Sequence, residues 1–136
     1  VEVIQGRSFA EDQSPNPCSL ADCSALAERL RADIGAAPSW LLERLGAPAG
    51  PPTVVGIGGK TGAFGNCAQV CGRASWTAAE LWAAIERLAG STDADLQAAG
   101  FSTARMILPK LVLVHTVMTI VGMDSVTHGP STGGCS

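Results

Sequence analysis

The sequence predicts an α/β domain in which a mainly parallel sheet is flanked by helices. Segments rich in β-branched residues, such as residues 53–57, alternate with segments whose apolar residues recur at helical spacing. That alternation favours a parallel sheet covered by helices. In a chain of 136 residues, a hydrophobic share of 46% against a charged share of 15% provides enough apolar material for one core. We therefore expect a single α/β domain over residues 1–136.

The N-terminal third predicts one strand and two helices. Residues 1–5 form a strand, and the polar, proline-containing residues 7–17 form a loop. Ser19, with Asp22 three positions later, has the spacing of a capping box that begins a helix, and apolar residues then recur at helical spacing. A second, short helix covers residues 39–45 and ends at a glycine.

The middle of the chain predicts a buried strand and a capped helix. Residues 53–57 are a compact β-branched run, which is followed by a glycine-rich turn and a short helical turn ending near Val70. Thr77 and Glu80 have the spacing of a second capping box. The helix that they begin carries an apolar stripe as far as Leu88.

The last third predicts two helices and a strand. A short helix covers residues 92–99 and ends at a glycine. The most apolar helix of the chain begins within residues 103–109 and runs to residue 121. Its regular part is expected to start near Pro109, because proline is tolerated in the first turn of a helix. Residues 124–128 form the last strand.

Composition and charge argue against two classes of partner, nucleic acid duplexes and membranes. A net charge of -3 gives no basic surface for a nucleic acid duplex. The longest apolar run, residues 106–121, contains Pro109, Lys110 and His115, which favours a buried helix over a membrane span. The chain begins at Val1 without a signal-like segment, and we expect a truncated domain from a cytoplasmic protein.

The five cysteines favour reduced thiols. An odd number of cysteines spread over an apolar chain is typical of a reducing compartment. Cys67 and Cys71 form the tightest pair, but no second pair with metal-ligand spacing accompanies them. The sequence therefore predicts no metal site, and a specific role for this pair stays open.

Residues 54–65 are the stretch that points to chemistry. A strand that ends in glycines exposes backbone N–H groups, which can hydrogen-bond phosphate or ribose oxygens. In open α/β sheets, ligands bind at the carboxyl ends of strands, where this loop lies. The residues predicted to bind phosphate or a nucleotide are Gly56, Gly58, Gly59, Lys60 and Thr61.

Two sharper motifs do not fit the same stretch. A P-loop would have glycine at position 54, which is valine, and the dinucleotide fingerprint would have glycine at position 61, which is threonine. A tight turn that needs glycine for conformational reasons alone is the alternative, and it stays open. Lys60 is the cation expected to contact phosphate, and the sequence assigns no catalytic residue. Four further cations stand near candidate loops: Arg7, Arg73, Arg105 and Lys110.

The order of features resembles the C-terminal part of the exopolyphosphatase/guanosine pentaphosphate phosphatase family. The resemblance includes the strand and glycines at residues 55–59 followed by Thr61, the helix over residues 77–88, and Gly100-Phe101 leading into residues 107–109. It covers nearly the whole chain with few identities. Residues 103–105 and the C-terminal residues 132–134 depart from the family pattern, as does Lys60 between the glycines and Thr61.

The resemblance implies an actin-like, ribonuclease-H-type fold, of which this chain would be most of the second domain. It implies a phosphohydrolase that cleaves terminal phosphoanhydride bonds of polyphosphate or guanosine pentaphosphate, assisted by Mg²⁺. The catalytic glutamate and the main phosphate loops would lie upstream, so the chain alone is expected to be inactive. A non-catalytic module that senses a nucleotide or phosphate is the alternative. The sequence also leaves a homodimer open.

Overall fold

A computed structural model describes residues 14–46 and 53–129, together with the backbone of two short strands at residues 3–4 and 7–8. Helices and strands alternate along most of this part of the chain, which confirms the α/β class. The helices are α1 (Leu20–Ile34), α2 (Ser39–Leu45), α3 (Ala63–Cys71), α4 (Ala78–Leu88), α5 (Asp93–Ala98) and α6 (Ala104–Val121). The strands are β1 (Val3–Ile4), β2 (Arg7–Ser8), β3 (Val55–Ile57), β4 (Ser75–Thr77) and β5 (Ser125–Gly129).

The main sheet is mixed, which differs from the mainly parallel sheet predicted. Its order is β3-β5-β4, with β3 parallel and β4 antiparallel to the central strand β5. At φ 71°, Gly72 adopts the left-handed conformation that ends α3, and the chain enters β4 three residues later. Strand β4 pairs with β5 and not with β3, and the three helices α4, α5 and α6 lie between β4 and β5 in sequence.

The core is built around α6, which packs against α1, α3 and α4. On this helix, Ile107, Leu108 and Leu111 are fully buried. Burying such a side chain contributes about 1.5–3 kcal/mol to stability. Trp76 and Val126 continue the core from the inner face of the sheet, where they lie opposite each other on β4 and β5.

Two capping boxes are complete. Ser19 accepts a hydrogen bond from the Asp22 amide at 3.1 Å, and the Asp22 carboxylate accepts one from the Ser19 amide at 2.9 Å. Thr92 and Asp95 make the same reciprocal pair at the start of α5, both at 3.1 Å. The capping box at Ser19 confirms the predicted start of α1. The capping box at Thr92 provides hydrogen-bond acceptors for two backbone N–H groups at the start of the short helix α5.

The predicted capping box of α4 forms only in part. Thr77 Oγ1 accepts a hydrogen bond from the Glu80 amide at 3.2 Å, as expected of a cap. The Glu80 carboxylate does not reach back to the Thr77 amide. It accepts a hydrogen bond from the Thr77 hydroxyl at 3.3 Å and pairs with the Arg73 guanidinium.

Several predicted boundaries were wrong. Helix α6 begins at Ala104, inside the predicted range of residues 103–109, but its regular part starts before Pro109, which lies inside the helix. Proline cannot donate a hydrogen bond to the carbonyl four residues earlier, but burial of Ala104, Ile107 and Leu108 compensates for that loss. The helical turn predicted before Val70 is a complete nine-residue helix. Residues 7–8, predicted as loop, pair with β1 as strand β2.

Helix α6 is, by length and composition, long and apolar enough to cross a membrane. More than half of it is buried within the described part of the fold, at 56% of the 18 residues concerned. The core helix of a folded domain can have the same length and apolar composition as a membrane-spanning helix.

Candidate functional site

The glycine-rich loop, residues 58–62, joins the carboxyl end of β3 to the start of α3. Its first residue still follows the sheet, because the Gly58 amide donates to the Gly129 carbonyl at 3.2 Å. Its last residue closes a turn, in which the Gly62 amide donates to the Gly59 carbonyl at 3.1 Å. The loop therefore forms a strand–turn–helix connection at the edge of the sheet where ligands bind in α/β folds.

Two glycines near the loop are required by packing. A Cβ atom on Gly56 would lie 2.4 Å from the ring of Phe64, so the ring occupies the space that any side chain would need. A Cβ atom on Gly65 would lie 2.4 Å from the Gly59 carbonyl oxygen and 2.5 Å from that of Lys60. The loop thus lies directly on the first turn of α3, and these two glycines have a structural role.

Gly58 is different. A Cβ atom on Gly58 would meet nothing within 4 Å, and its backbone is not in the left-handed region. Neither packing nor backbone conformation explains glycine at this position. A ligand that approaches the backbone closely would explain it, because glycine leaves the Cα accessible.

The side chains of Asn66 and Lys110 hold the backbone of the glycine-rich loop in place through hydrogen bonds. With its amide oriented so that the nitrogen faces the loop, the buried Asn66 side chain donates to the carbonyls of Thr61 and Gly62, both at 3.2 Å. The Lys110 ammonium, from α6, donates to the same Thr61 carbonyl at 2.8 Å. Side chains from α3 and α6, two helices far apart in sequence, therefore both hold the Thr61 carbonyl.

A third contact comes from the central strand. The Nε2 atom of His128, on β5, lies 2.9 Å from the Gly58 carbonyl oxygen. Because a carbonyl only accepts hydrogen bonds, Nε2 carries the proton in this contact. The carbonyls of Gly58 and Thr61 are thus bound by side chains, and the loop backbone is held in one orientation.

The electrostatics of the loop favour an anion. The start of α3 has no side-chain cap at Gly62, and its first backbone N–H groups have no partner within the helix. These groups and the helix dipole attract negative charge. Lys110 uses one of its three N–H donors on Thr61, and burial lowers its pKa from the ordinary value. Lys60 is exposed in the loop itself.

A cavity of about 280 Å³ lies beside the loop, between β3, the first turn of α3 and helix α6. None of the described residues that line it has a polar side chain. Val55, which is 50% exposed, brings the cavity to the surface. The lining includes Val54, Phe64, Leu113, Val117, Met118 and Met123.

The structure brings together part of the predicted site. Gly58, Lys60 and Thr61 lie in one loop with Lys110, which the sequence placed near a candidate loop without a specific contact. Arg73 instead pairs with Glu80 on α4. The side chain of Arg7 and residues 130–136, including Cys135, lie outside the described residues.

Sequence reasoning missed the two residues that orient the loop. Asn66 and His128 both hold loop carbonyls, and neither belongs to a motif with the correct spacing. The signal that could have found Asn66 is its polar side chain among apolar neighbours on a helix, because a buried amide must find hydrogen-bond partners. No local pattern could have indicated His128, since it meets Gly58 only through the pairing of β3 with β5.

The cysteines show no sign of a reactive or metal-bound thiolate. Burial, and then the neighbouring Cys71, raise the pKa of Cys67 to about 12. The pKa of Cys23 is raised well above its usual value by a hydrogen bond with Cys18 and by burial. Low-pKa, accessible thiols are the reactive ones. Within residues 14–46 and 53–129 no three His, Cys, Asp or Glu side chains are grouped so as to hold a metal ion.

Comparison with protein-family models, curated proteins and solved structures found no match for this chain. Function is therefore proposed from the geometry of the loop together with the resemblance of the sequence. The uncapped first amides of α3 and the ammonium groups of Lys60 and Lys110 are the groups near this loop that favour an anion.

Proposed function

We propose that this chain is the phosphate-binding part of an actin-like phosphohydrolase. Its ligand is a polyanionic phosphate or a nucleotide. The parent protein cleaves terminal phosphoanhydride bonds of polyphosphate or guanosine pentaphosphate in the cytoplasm. The observation that supports this most is the glycine-rich loop, which leads from β3 into the uncapped start of α3 and carries Lys110 at its Thr61 carbonyl.

In this proposal, the groups around the glycine-rich loop bind a phosphate in the following way. An anionic phosphoryl oxygen is attracted to the first N–H groups of α3 and to the exposed Lys60. Gly58, which has open space at its Cα, lets the phosphate approach the backbone. Asn66 and His128 hold the loop in place before the ligand arrives, so little conformational entropy is lost on binding.

The parallel pair formed by β3 and β5, with helices between them in sequence, supports an actin-like arrangement. The thiols of Cys23, Cys67 and Cys71, which form no disulfide, support a reducing compartment. Magnesium commonly binds to substrate phosphates with few protein ligands. The described residues do not fit a protein-held magnesium site, because they provide no group of three suitable side chains. No step is assigned to the metal.

A sensing module is the second candidate. The hydrogen bonds of the glycine-rich loop within the described residues involve carbonyls, an amide, an ammonium and an imidazole, and none involves a carboxylate that would activate water. Such a loop is sufficient for binding without hydrolysis. In that case the parent protein would bind phosphate compounds and release none.

Phosphate release from polyphosphate and guanosine pentaphosphate, with Mg²⁺, separates the two candidates. We expect release by the full-length protein and none by this chain alone. Lys60→Gln should weaken activity of the full-length protein, whereas Arg44→Gln, which removes the same charge from the exposed surface of α2, should not. A folded full-length protein that binds polyphosphate and releases no phosphate would favour the sensing module. Failure to bind would reject both candidates.

A further inference from the structure

The apolar cavity lies next to the glycine-rich loop, and the residues that line it include none of residues 58–62. Ala63 and Phe64 line the cavity, and they are also the first two residues of α3, directly after the loop. On α6, the cavity-lining Leu113 and Val114 lie three and four residues beyond Lys110. Residues with that spacing share one face of a helix. The backbone of Lys110 therefore lies about one helical turn along α6 from one end of the cavity, while its ammonium contacts the Thr61 carbonyl of the loop.

The size and lining of the cavity define what fits. An engineered cavity of roughly 150 Å³ with a similar apolar lining stays dry and binds benzene. The present cavity, at about 280 Å³, is nearly twice as large. With no polar side chain in its lining, it offers no partner to the edge of a nucleobase, and it favours a hydrocarbon group.

The charge at the loop end defines the other half of the ligand. Lys110 and the uncapped start of α3 attract an anion at the point where the cavity meets the loop. A neutral hydrocarbon would leave this end unused, and a bare phosphate would leave the cavity empty. A molecule with an anionic head and a medium-length alkyl tail complements both.

We propose that the cavity and the glycine-rich loop together bind an amphipathic anion, with its head at Lys110 and its alkyl tail between β3 and α6. This inference rests on the proposed phosphate site, since the head occupies the same groups. Such a ligand competes with the phosphate substrate for the loop and so regulates that site. Its class is an alkyl phosphate or alkyl carboxylate, whose shared chemistry is an anionic head on a flexible apolar chain.

Octyl phosphate, inorganic phosphate and 1-octanol test this inference on the 136-residue chain by calorimetry, below the concentration at which octyl phosphate forms micelles. We expect octyl phosphate to bind at least about tenfold more tightly than inorganic phosphate, because each methylene removed from water adds to the affinity. It should also displace tripolyphosphate competitively. The methyl signals of Met118 and Met123 should shift in NMR spectra on addition of octyl phosphate and not of inorganic phosphate.

Two variants locate the tail. Val117→Phe fills the cavity and should reduce the affinity for octyl phosphate to that for inorganic phosphate, which should itself be unchanged. Ile120→Phe is the matched control, because Ile120 lies on α6 outside the cavity lining, and it should keep the difference. If Val117→Phe does not fold, contacts between the octyl chain and the methyl groups of Met118 and Met123 in the unaltered protein provide the same information.

The outcomes separate this inference from the proposed function. If inorganic phosphate binds and the octyl chain adds nothing, the inference is wrong and the phosphate site stands. If 1-octanol binds as tightly as octyl phosphate, the cavity does not act with the loop, and the inference is again wrong. If neither phosphate compound binds, both proposals fail.

Discussion

The two faces of helix α6 differ in how completely they are packed. The face with Leu108, Leu111 and Val112 has no solvent exposure and lies in the core. The face with Leu113 and Val117 is only partly buried and lines the cavity beside β3. Both faces are apolar, so sequence hydrophobicity does not distinguish them. One face stabilises the fold, and the other leaves space next to the loop where an anion is attracted.

The largest expected effect compares the two faces directly. Leu111→Ala should lower the free energy of unfolding by about 2–5 kcal/mol, because it opens a void in a filled core. Leu113→Ala, with the same chemistry two residues further along, should cost about 1 kcal/mol or less, because its side chain already borders empty space. Urea unfolding of both variants measures this difference. Equal losses would show that the cavity face is packed as tightly as the core.

The second effect compares two glycines of the loop region. Gly65→Ala should destabilise the protein by about 1–3 kcal/mol, because the new Cβ meets the backbone carbonyls of Gly59 and Lys60. Gly58→Ala should change stability by less than about 0.5 kcal/mol, because its Cβ enters open space. Gly58→Ala should nevertheless weaken tripolyphosphate binding. Unchanged affinity per folded molecule would favour the alternative that the glycines serve only the turn.

The third effect concerns Lys110, which belongs to the cavity face and touches the loop. Lys110→Gln should weaken tripolyphosphate binding by about tenfold, the usual size of one lost charge-assisted hydrogen bond. Arg44→Gln is the charge-matched control and should bind normally. Calorimetry at low salt measures both affinities. A loss of similar size in the control would mean that net charge, and not the loop, determines binding.

The smallest effect concerns pH and the packed face. His115 lies there against the ring of Trp82, with ring centroids 4.8 Å apart. Burial, and then the nearby Arg31, lower the pKa of His115 below 6.5. The folded state therefore binds a proton less readily than the unfolded state, so stability rises as the pH increases through the folded pKa towards 6.5. His115→Gln should remove this part of the pH dependence, as followed by thermal unfolding between pH 5 and pH 8.

Local chemistry made much of the fold predictable. The capping box at Ser19, and the glycines that end α1 and α6, act within one helical turn and can be read along the chain. The regular helical turn before Pro109 could not be read in this way, because the burial of that turn compensates for the proline.

The candidate site was likewise predictable only where its residues lie close together in the sequence. The glycines and Lys60 are adjacent in sequence, and they predicted the loop. Lys110 and His128 reach the loop across 49 and 70 residues, through helix packing and strand pairing. The cavity could not be predicted either, because it depends on which apolar face of α6 is left partly covered. Such long-range arrangements leave no pattern in a single sequence.

Backbone NMR of the chain titrated with tripolyphosphate tests the central claim that residues 58–62 and the start of α3 bind phosphate. The account predicts saturable amide shifts centred on Gly58, Lys60 and Ala63, with the same pattern weakened in Lys110→Gln. Shifts that are absent, or that centre away from this loop, would contradict it.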